Sequence, residues 1–271
     1  MKQGPERETG ERERVARWLA EAGAAVVFTG AGVSTESGVP DFRSPGGVWS
    51  RRRAILFDEY LRDPEARLEY WRQRAETHAQ FSAAQPNVAH RAFARWEEEG
   101  RLRGVITQNI DGLHQLGGSR NVLELHGTAR QVACLDCAAR YDADQMVRRF
   151  QESQAVPRCA RCGGLTKHAT ISFGQSLSPD VLQTAIRWAR ESELFLAIGS
   201  SLVVTPAAQL PALAKESGAR LVIINREPTP LDEIADVVIR GAIGEVIQQI
   251  DDFVASAQKS TQKSGGQGMP Q

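Results

Sequence analysis

The chain has 271 residues, of which 41% are hydrophobic, and its 33 lysine and arginine residues equal its 33 aspartate and glutamate residues in number. This length suits one large domain with a smaller inserted module, and the apolar fraction is sufficient for a full core. The balanced charge gives no bulk attraction to nucleic acid or to an anionic membrane, so we expect neither as a direct partner.

No segment of the sequence has the features of a membrane span or of a targeting signal. The longest apolar run, Leu194–Ile198 resuming at 202–204, is interrupted and too short to cross a bilayer. Residues 1–14 lack the apolar core of a signal peptide and contain too many glutamates for a transit peptide. The sequence therefore predicts a cytoplasmic protein.

The first predicted elements are a helix and a strand. After residues 1–10, which we expect to be disordered, the helix carries Val15 and Trp18 on one face and ends at Gly23. The apolar run Ala25–Phe28 then predicts a buried strand that leads directly into a glycine-rich loop.

This loop has part of a dinucleotide-binding pattern. Gly30 and Gly32 are followed by Thr35, where a third glycine would complete G-x-G-x-x-G. Backbone N–H groups in such a loop can face a phosphate, whereas the alternative is an ordinary glycine turn with a Ser or Thr helix cap. The continuation Gly38–Arg43, with the sequence GVPDFR, is required by neither a cap nor a turn and favours a binding loop.

Residues 44–85 predict a helical insertion, because they are rich in arginine and aromatic residues and place apolar residues at roughly helical spacing. Asn87 can cap the following helix, which ends at Gly100. Two short apolar runs, Val105–Thr107 and Val122–Leu125, then predict strands.

Polar side chains follow both of these strands. Gln108, Asn109 and Asp111 come after the first, at the end where open α/β sheets bind ligands, and they could hold a small amide ligand. A polar turn with an Asn helix cap is the alternative. His126 follows the second strand and precedes Gly127. A single histidine is more often structural than catalytic, but this position favours a general base.

The four cysteines form two C-x-x-C pairs, Cys134/Cys137 and Cys159/Cys162, separated by 21 residues. In a reducing compartment this pattern favours a metal site over disulfides, and a redox dithiol is the alternative. Four thiolates fill the tetrahedral shell of zinc and leave no position for water. We therefore predict one structural zinc ion in a module over residues 128–167.

The last hundred residues alternate between predicted strands and helices. Strands are predicted at Thr170–Phe173, Leu194–Ile198, Leu221–Ile224 and Val237–Ile239, and helices after Ser178 with Pro179 as a cap, from Pro206, and around Val246–Val254. This alternation predicts an α/β fold with a Rossmann-like, mostly parallel sheet and helices on both faces. Residues 256–271 have no apolar periodicity and are expected to be disordered.

Polar residues also follow two strands of this C-terminal part. Gly199, Ser200 and Ser201 offer backbone N–H and hydroxyl donors to a phosphate. The segment Asn225–Glu227 has the reach for ribose hydroxyls. Both segments follow predicted strands, so we expect them at the same edge of the sheet as the glycine-rich loop.

A series of ordered motifs resembles those of sirtuins, the NAD-dependent protein-lysine deacylases. The motifs are GAGVSTESGVPDFR, TQNIDGLH, ELHG, the two cysteine pairs, ISFG, GSSLVVTPA and IIN, and the match covers nearly all of residues 14–255. The stretch between Tyr70 and Cys137 is most similar to the class II branch. The resemblance implies a discontinuous Rossmann-like NAD-binding domain (11–43, 86–127 and 168–255), a small helical and zinc-ribbon module (44–85 and 128–167), and tails at 1–10 and 256–271.

The resemblance also implies site residues at matching positions. The catalytic residues would be His126, as general base, with Asn109 and Asp111. The cofactor-binding residues would be Gly30, Ala31, Gly32, Ser34, Asp41, Phe42, Arg43, Trp49, Gln108, Asn109, Ile110, Asp111, Gly199, Ser200, Ser201, Asn225, Arg226, Glu227 and Ile243. An acylated lysine in a protein or peptide would bind as an added strand between Ile171, Ser172, Phe173 and Gly174 on one side and Leu202 and Val203 on the other.

The activity implied is deacetylase-type transfer of an acyl group from lysine, with NAD as co-substrate and release of nicotinamide and O-acyl-ADP-ribose. The alternative is protein mono-ADP-ribosyl transfer at the same NAD site, and a non-catalytic NAD-binding sensor is a third interpretation. Four positions depart from the usual sirtuin residues, namely His168, Thr170, Gln175 and Ser200. The Tyr-x-x-Arg pattern of desuccinylating sirtuins corresponds here to Trp71-x-x-Arg74, so we expect only a weak preference for acidic acyl groups.

Overall fold

The structure is a computed structural model that describes residues 5–41 and 53–264. In chain order the strands are β1 (Ala25–Thr29), β2 (Leu102–Thr107), β3 (Val122–Glu124), β4 (Gly127–Cys134), β5 (Arg140–Asp142), β6 (Thr166–Thr170), β7 (Leu194–Ile198), β8 (Arg220–Ile224) and β9 (Val237–Ile239). The α-helices are α1 (Pro5–Glu21), α2 (Phe57–Arg62), α3 (Pro64–Ala83), α4 (Val88–Glu98), α5 (Leu113–Leu116), α6 (Ala143–Ser153), α7 (Pro179–Glu191), α8 (Leu210–Glu216) and α9 (Ile243–Ser264).

A six-stranded parallel sheet in the order β3-β2-β1-β7-β8-β9 forms the centre of the molecule. This order is typical of doubly wound dinucleotide-binding folds, and the direction in which successive strands are added to the sheet reverses between β1 and β7. A crevice at the carboxyl ends of these two strands is where such sheets bind ligands. The predicted α/β fold is confirmed.

Helices cover both faces of this sheet, which explains why its strands are apolar throughout. On one face Val27 of β1 packs in a cluster with residues of α1, α4 and α9, including Trp96 and Ile250. On the other face Phe28 packs with residues of α7 and α8, including Leu210. Burial on both sides is the usual setting of parallel strands.

A separate small module contains the antiparallel sheet β5-β4-β6 and the helices α2, α3 and α6. Its core includes Tyr60, Tyr70, Trp71, Val132 and Phe150. Residues 53–83, which precede α4, and residues 127–170, which follow β3, therefore share one core. No helix within the described parts of the chain is both long and apolar enough to cross a membrane.

The strand predicted at Thr170–Phe173 is wrong. The chain instead forms β6 at Thr166–Thr170, which pairs antiparallel with β4 in the small sheet. The sequence TKHAT does not predict this strand, because Lys167 and His168 are polar residues although both are buried there. Residues 171–174 form a loop whose N–H groups bond elsewhere, for example that of Ile171 to the oxygen of His126 at 2.8 Å.

Two further boundary predictions need correction. Helix α1 begins at Pro5 and α9 continues to Ser264, so the expected disorder is wrong for residues 5–10 and 256–264. Glutamate, arginine, glutamine and lysine have high helix propensity, and a helix that is already packed extends easily into such sequence. Ser178 occupies the N-cap of α7 but its side chain makes no capping hydrogen bond, whereas Asn87 caps α4 through Ala89 and His90.

Candidate active site

A cavity of about 1100 Å³ opens at the carboxyl ends of β1 and β7, the point where the strand order reverses. The predicted segments after β1, β2, β3, β7 and β8 all reach it. Its lining includes the predicted site residues Gly30, Ala31, Gly32, Asp41, Gln108, Asn109, Ile110, His126, Ile171, Ser172, Phe173, Gly174, Gly199, Ser200, Ser201, Asn225, Arg226, Glu227 and Ile243.

The glycine-rich loop after β1 packs backbone against backbone on the loop after β7. The N–H of Gly30 donates to the oxygen of Ile198 at 3.0 Å and that of Gly32 to the oxygen of Gly199 at 2.8 Å. A Cβ on Gly32 would come within 2.8 Å of Gly199 Cα, so no larger side chain fits. These two N–H groups therefore hold the two loops together.

The polar residues after β2 form a connected network with Ser34. Asn109 Nδ2 donates to the oxygen of Gly30 and to Ser34 Oγ, both at 3.1 Å. Ser34 Oγ donates to Asp111 Oδ2 at 2.8 Å, and the N–H of Leu113 donates to Asp111 Oδ1 at 2.9 Å. Ser34 and Asp111 lie behind the cavity wall, and burial raises the pKa of the Asp111 carboxyl.

Asn109 presents an acceptor to the cavity because of this network. Both of its amide hydrogens are engaged, so Oδ1 is its remaining polar atom. Gln108 is fixed beside it, since Gln108 Nε2 donates to Ser200 Oγ at 2.8 Å. The residues after β2 and β7 thus meet across the cavity floor.

His126 is held in one tautomer by a main-chain oxygen. Its Nδ1 lies 2.9 Å from the oxygen of Gln108, and a carbonyl oxygen can only accept a hydrogen bond. Nδ1 therefore carries the proton and donates, which leaves the lone pair on Nε2. The half-buried ring lines the cavity. This arrangement suits a group that takes a proton from a bound molecule.

Residues of the small module line part of the cavity. Tyr70 and Arg74 of α3 both line it, with Arg74 Cζ 5.1 Å from the centre of the Tyr70 ring. Trp71 is fully buried in the core of the small module. Tyr70, one position before the predicted Trp71-x-x-Arg74 register, is therefore the aromatic residue beside Arg74 in the cavity.

Sequence reasoning missed several lining residues. Glu36 lines the cavity, and its carboxylate accepts from the N–H of Gly244 at 2.9 Å at the start of α9. No local pattern marks it, because its partner lies over 200 residues away in the chain. Tyr70 was also missed, although its i, i+4 spacing from the predicted Arg74 on α3 is a signal that could have paired the two.

Some predicted residues are not among those that line the cavity. Leu202 is buried, and Val203 is 53% exposed outside it. Of the four departures, Thr170, Gln175 and Ser200 line the cavity, and His168 is buried in β6. Phe42, Arg43 and Trp49 lie outside the described residues.

The four cysteines lie together at one end of the small sheet. Their Sγ atoms are all within 4.8 Å of one another. Cys134 Sγ is 3.5 Å from Cys162 Sγ, and Cys137 Sγ is 3.7 Å from Cys159 Sγ. Tetrahedral zinc with Zn–S bonds of about 2.3 Å places its sulfur ligands about 3.8 Å apart, so this cluster fits one zinc ion.

Comparisons with known proteins agree on one family. A family model described as the Sir2 family matches residues 30–206. The NAD-dependent protein deacetylase of Rhodopseudomonas palustris is 49% identical over 237 residues, which cover 87% of this chain and 94% of that protein. The NAD-dependent protein deacetylase 1 of Bradyrhizobium diazoefficiens is 51% identical, with 87% and 93% covered. A solved structure described as Sir2-p53 peptide-NAD+ has a TM-score of 0.81 at 36% identity, with 88% and 96% covered.

Proposed function

The chain belongs to the Sir2 family, the sirtuins, and from this premise we propose how its residues carry out NAD-dependent protein-lysine deacylation. The reaction uses NAD as co-substrate and yields nicotinamide, free lysine and O-acyl-ADP-ribose. One observation carries the assignment to residues: His126, Asn109 and the loop Gly199–Ser201 come from three separate strands and line a single cavity.

The cavity suits NAD in size and in chemistry. Cavities for small ligands occupy about 300–1,000 Å³, so a volume of about 1100 Å³ can take a dinucleotide together with an acyl-lysine side chain. The lining offers the amides of Gln108 and Asn109 to the nicotinamide ribose, and the segment Asn225–Glu227 with Ile243 to the adenosine half. When bound, NAD supplies an electrophilic ribose carbon and nicotinamide as the leaving group.

His126 acts as the general base in this proposal. The oxygen of Gln108 holds the proton on Nδ1, so Nε2 accepts a proton from a ribose hydroxyl. Asn109 Oδ1 accepts a hydrogen bond from the nicotinamide ribose and thereby orients the ligand. Asp111 and Ser34 fix Asn109 from behind, so we place their role in positioning.

The zinc ion has a structural role. Four thiolates complete its coordination and leave no position for a reacting molecule. The cysteines belong to the small module, whose core is separate from those of the parallel sheet. Cys134, Cys137, Cys159 and Cys162 would hold the ion.

The acylated peptide binds at the exposed rim of the cavity. We place it as an added strand between Ile171–Gly174 and Leu202–Val204, and the exposure of Phe173 (46%) and Val203 (53%) supports this position. The carbonyl of Phe173 already accepts from Phe57, so the peptide uses other backbone groups of this loop.

The sequence between Tyr70 and Cys137 supports the class II branch.

The test is nicotinamide release from NAD with and without an acetyl-lysine peptide, followed by mass spectrometry of the products. We expect release to require the peptide and O-acetyl-ADP-ribose to appear in equal amount. Label transferred from NAD to protein without the peptide would instead indicate ADP-ribosyl transfer. NAD that binds but is never consumed would contradict both activities.

A further inference from the structure

We propose that Arg130 is a positioning residue for the nicotinamide side of the site, an inference that rests on the proposed function. Arg130 lies in β4, four residues after His126, and its Nε donates to the main-chain oxygen of Asp111 at 2.6 Å. The N–H of Ala129 donates to the oxygen of Ile110 at 2.8 Å. Two consecutive residues of β4 therefore hold two consecutive carbonyls of the turn after β2.

The Arg130 side chain also closes over Gly112 in this turn. Gly112 has a φ of +70°, a left-handed conformation that glycine adopts without steric cost. A Cβ at this position would come within 2.7 Å of Arg130 Nε. The guanidinium thus packs on the outside of a turn whose preceding residues, 108–110, line the cavity.

Charge gives a second reason for a cation at this position. Burial raises the pKa of the carboxyl groups of Asp111 and Glu124, and the positive charge of Arg130 acts on both in the opposite direction. Loss of this charge would leave two poorly solvated carboxylates less compensated. The turn would then relax away from the geometry that its hydrogen bonds define.

Ser34 connects Asp111 of this turn to the side chain of Asn109. Asp111 Oδ2 accepts from Ser34 Oγ at 2.8 Å, and Ser34 Oγ accepts from Asn109 Nδ2 at 3.1 Å. Arg130 is not among the residues that line the large cavity. A displacement of Asp111 therefore moves Asn109, while Arg130 itself never touches NAD.

The experiment compares R130M, R130K and the matched control R140M. Arg140 is exposed on the neighbouring strand β5, where it donates to Gln131 Oε1 at 3.3 Å, and its charge also acts on Glu124. It therefore reports the effect of charge without the contact to the turn. The readouts are the inhibitory concentration of nicotinamide during turnover, the Kd of ADP-ribose by calorimetry, and the melting temperature.

For R130M we expect both the nicotinamide inhibitory concentration and the ADP-ribose Kd to rise on the order of tenfold. R130K keeps the charge but not the planar Nε donor, so we expect a rise of roughly threefold. R140M should match the wild type. Wild-type values for R130M, or equal shifts in R130M and R140M, would overturn the proposal.

This design distinguishes failure of the Arg130 proposal from failure of the deacylase assignment. If R130M shows no cooperative melting transition, R130K decides, and wild-type values for R130K would overturn the proposal. If the wild-type protein releases no nicotinamide, the deacylase assignment fails, whereas ADP-ribose calorimetry still tests Arg130 without turnover.

Discussion

Two main-chain oxygens set the polarity of the reacting groups. The oxygen of Gln108 accepts from His126 Nδ1, and the oxygen of Gly30 accepts from Asn109 Nδ2. In this tautomer the lone pair of His126 is on Nε2, and the oxygen of the Asn109 side chain is Oδ1, so both atoms are acceptors. In the proposed reaction this is the polarity needed to remove a proton from a ribose hydroxyl.

Replacement of His126 by alanine should slow product formation by about 100-fold or more, because it removes the general base. NAD affinity should change by no more than about threefold, since the other residues that line the cavity remain in place. Steady-state formation of O-acetyl-ADP-ribose and calorimetric titration with NAD measure the two effects.

His78 gives a matched control for this substitution. It lies on α3 with its Nε2 2.8 Å from Asp144 Oδ1, and it is not among the residues that line the large cavity. H78A should retain wild-type turnover. Turnover in H126A equal to that in H78A would remove His126 as the base.

Replacement of Arg74 by leucine should lower kcat/KM for succinyl-lysine peptides by roughly tenfold, because a hydrogen bond to a charged group contributes about 1.5–3 kcal/mol. Arg74 is half-buried beside Tyr70 and both line the cavity, where a carboxylate would meet a cation and a phenol. Acetyl-lysine has no carboxylate, so its kcat/KM should change much less. Competition between the two peptides in one reaction measures the ratio directly.

Arg72 supplies the comparison on the same helix. It is exposed and is not among the residues that line the cavity. R72L should leave the succinyl-to-acetyl ratio unchanged. Equal ratios in R74L and the wild type would show that Arg74 does not contact the acyl group.

At the level of elements, the sequence predicts a strand well where the burial of apolar residues alone determines it. β7 and β9 were placed at their observed limits, because each is a run of apolar residues buried in the parallel sheet. β6 could not be found this way. Its residues Lys167 and His168 are polar, and their burial depends on contacts with α3, such as Lys167 Nζ over the Tyr70 ring at 5.7 Å.

The same distinction between local patterns and tertiary contacts holds for the residues of the site. Residues directly after a parallel strand, such as His126 and Ser200, were predicted because the sheet brings strand ends together. Glu36 and Arg130 were not, because their partners Gly244 and Asp111 are met only through the tertiary fold. Local patterns therefore located the cavity but not the contacts that fix its walls.

Replacement of Cys159 by serine should unfold the small module while the parallel sheet remains folded. The module has its own core, and at this size metal binding supplies much of the folding free energy. Hydrogen exchange measured by mass spectrometry should show lost protection across β4, β5 and β6 and retained protection in β1 and β7. Zinc release can be followed in parallel with a chromogenic chelator.

Chelation of the wild-type protein provides a second route to the same state. Its exchange pattern should match that of C159S and should reverse when zinc is added back. Uniform loss of protection through both sheets would show instead that the two parts fold as a single unit.

For the molecule as a whole, stability at low pH depends on buried histidines in both parts of the fold. Burial lowers the pKa of His90 to about 4 and that of His114 and His168 well below the ordinary value. The rings of His90 and His114 lie 4.7 Å apart beneath the active-site turn, whereas His168 belongs to the small module. Charging any of them places an ill-solvated cation in a core.

The sign of the effect follows from proton linkage. Between pH 6.5 and the lowered pKa values, the unfolded chain binds protons that the folded protein does not, so stability falls as the pH falls. Each such histidine lowers the free energy of unfolding by about 1.4 kcal/mol per pH unit across this interval. The raised pKa values of Asp111 and Glu124 act in the opposite direction, but only near and above the ordinary range of carboxyl groups.

Urea unfolding of the wild type and of H90Q from pH 7.5 to 4.5 isolates one of these protons. Glutamine cannot be charged, so the slope of unfolding free energy against pH below 6.5 should decrease by about one proton in H90Q, and H78Q, at a partly exposed histidine of α3, controls for the substitution itself. Zinc loss affects all three proteins alike and cancels in the difference. Parallel pH profiles for the wild type and H90Q would show that His90 is not protonated on unfolding in this range, and that the buried histidine pair does not limit acid stability.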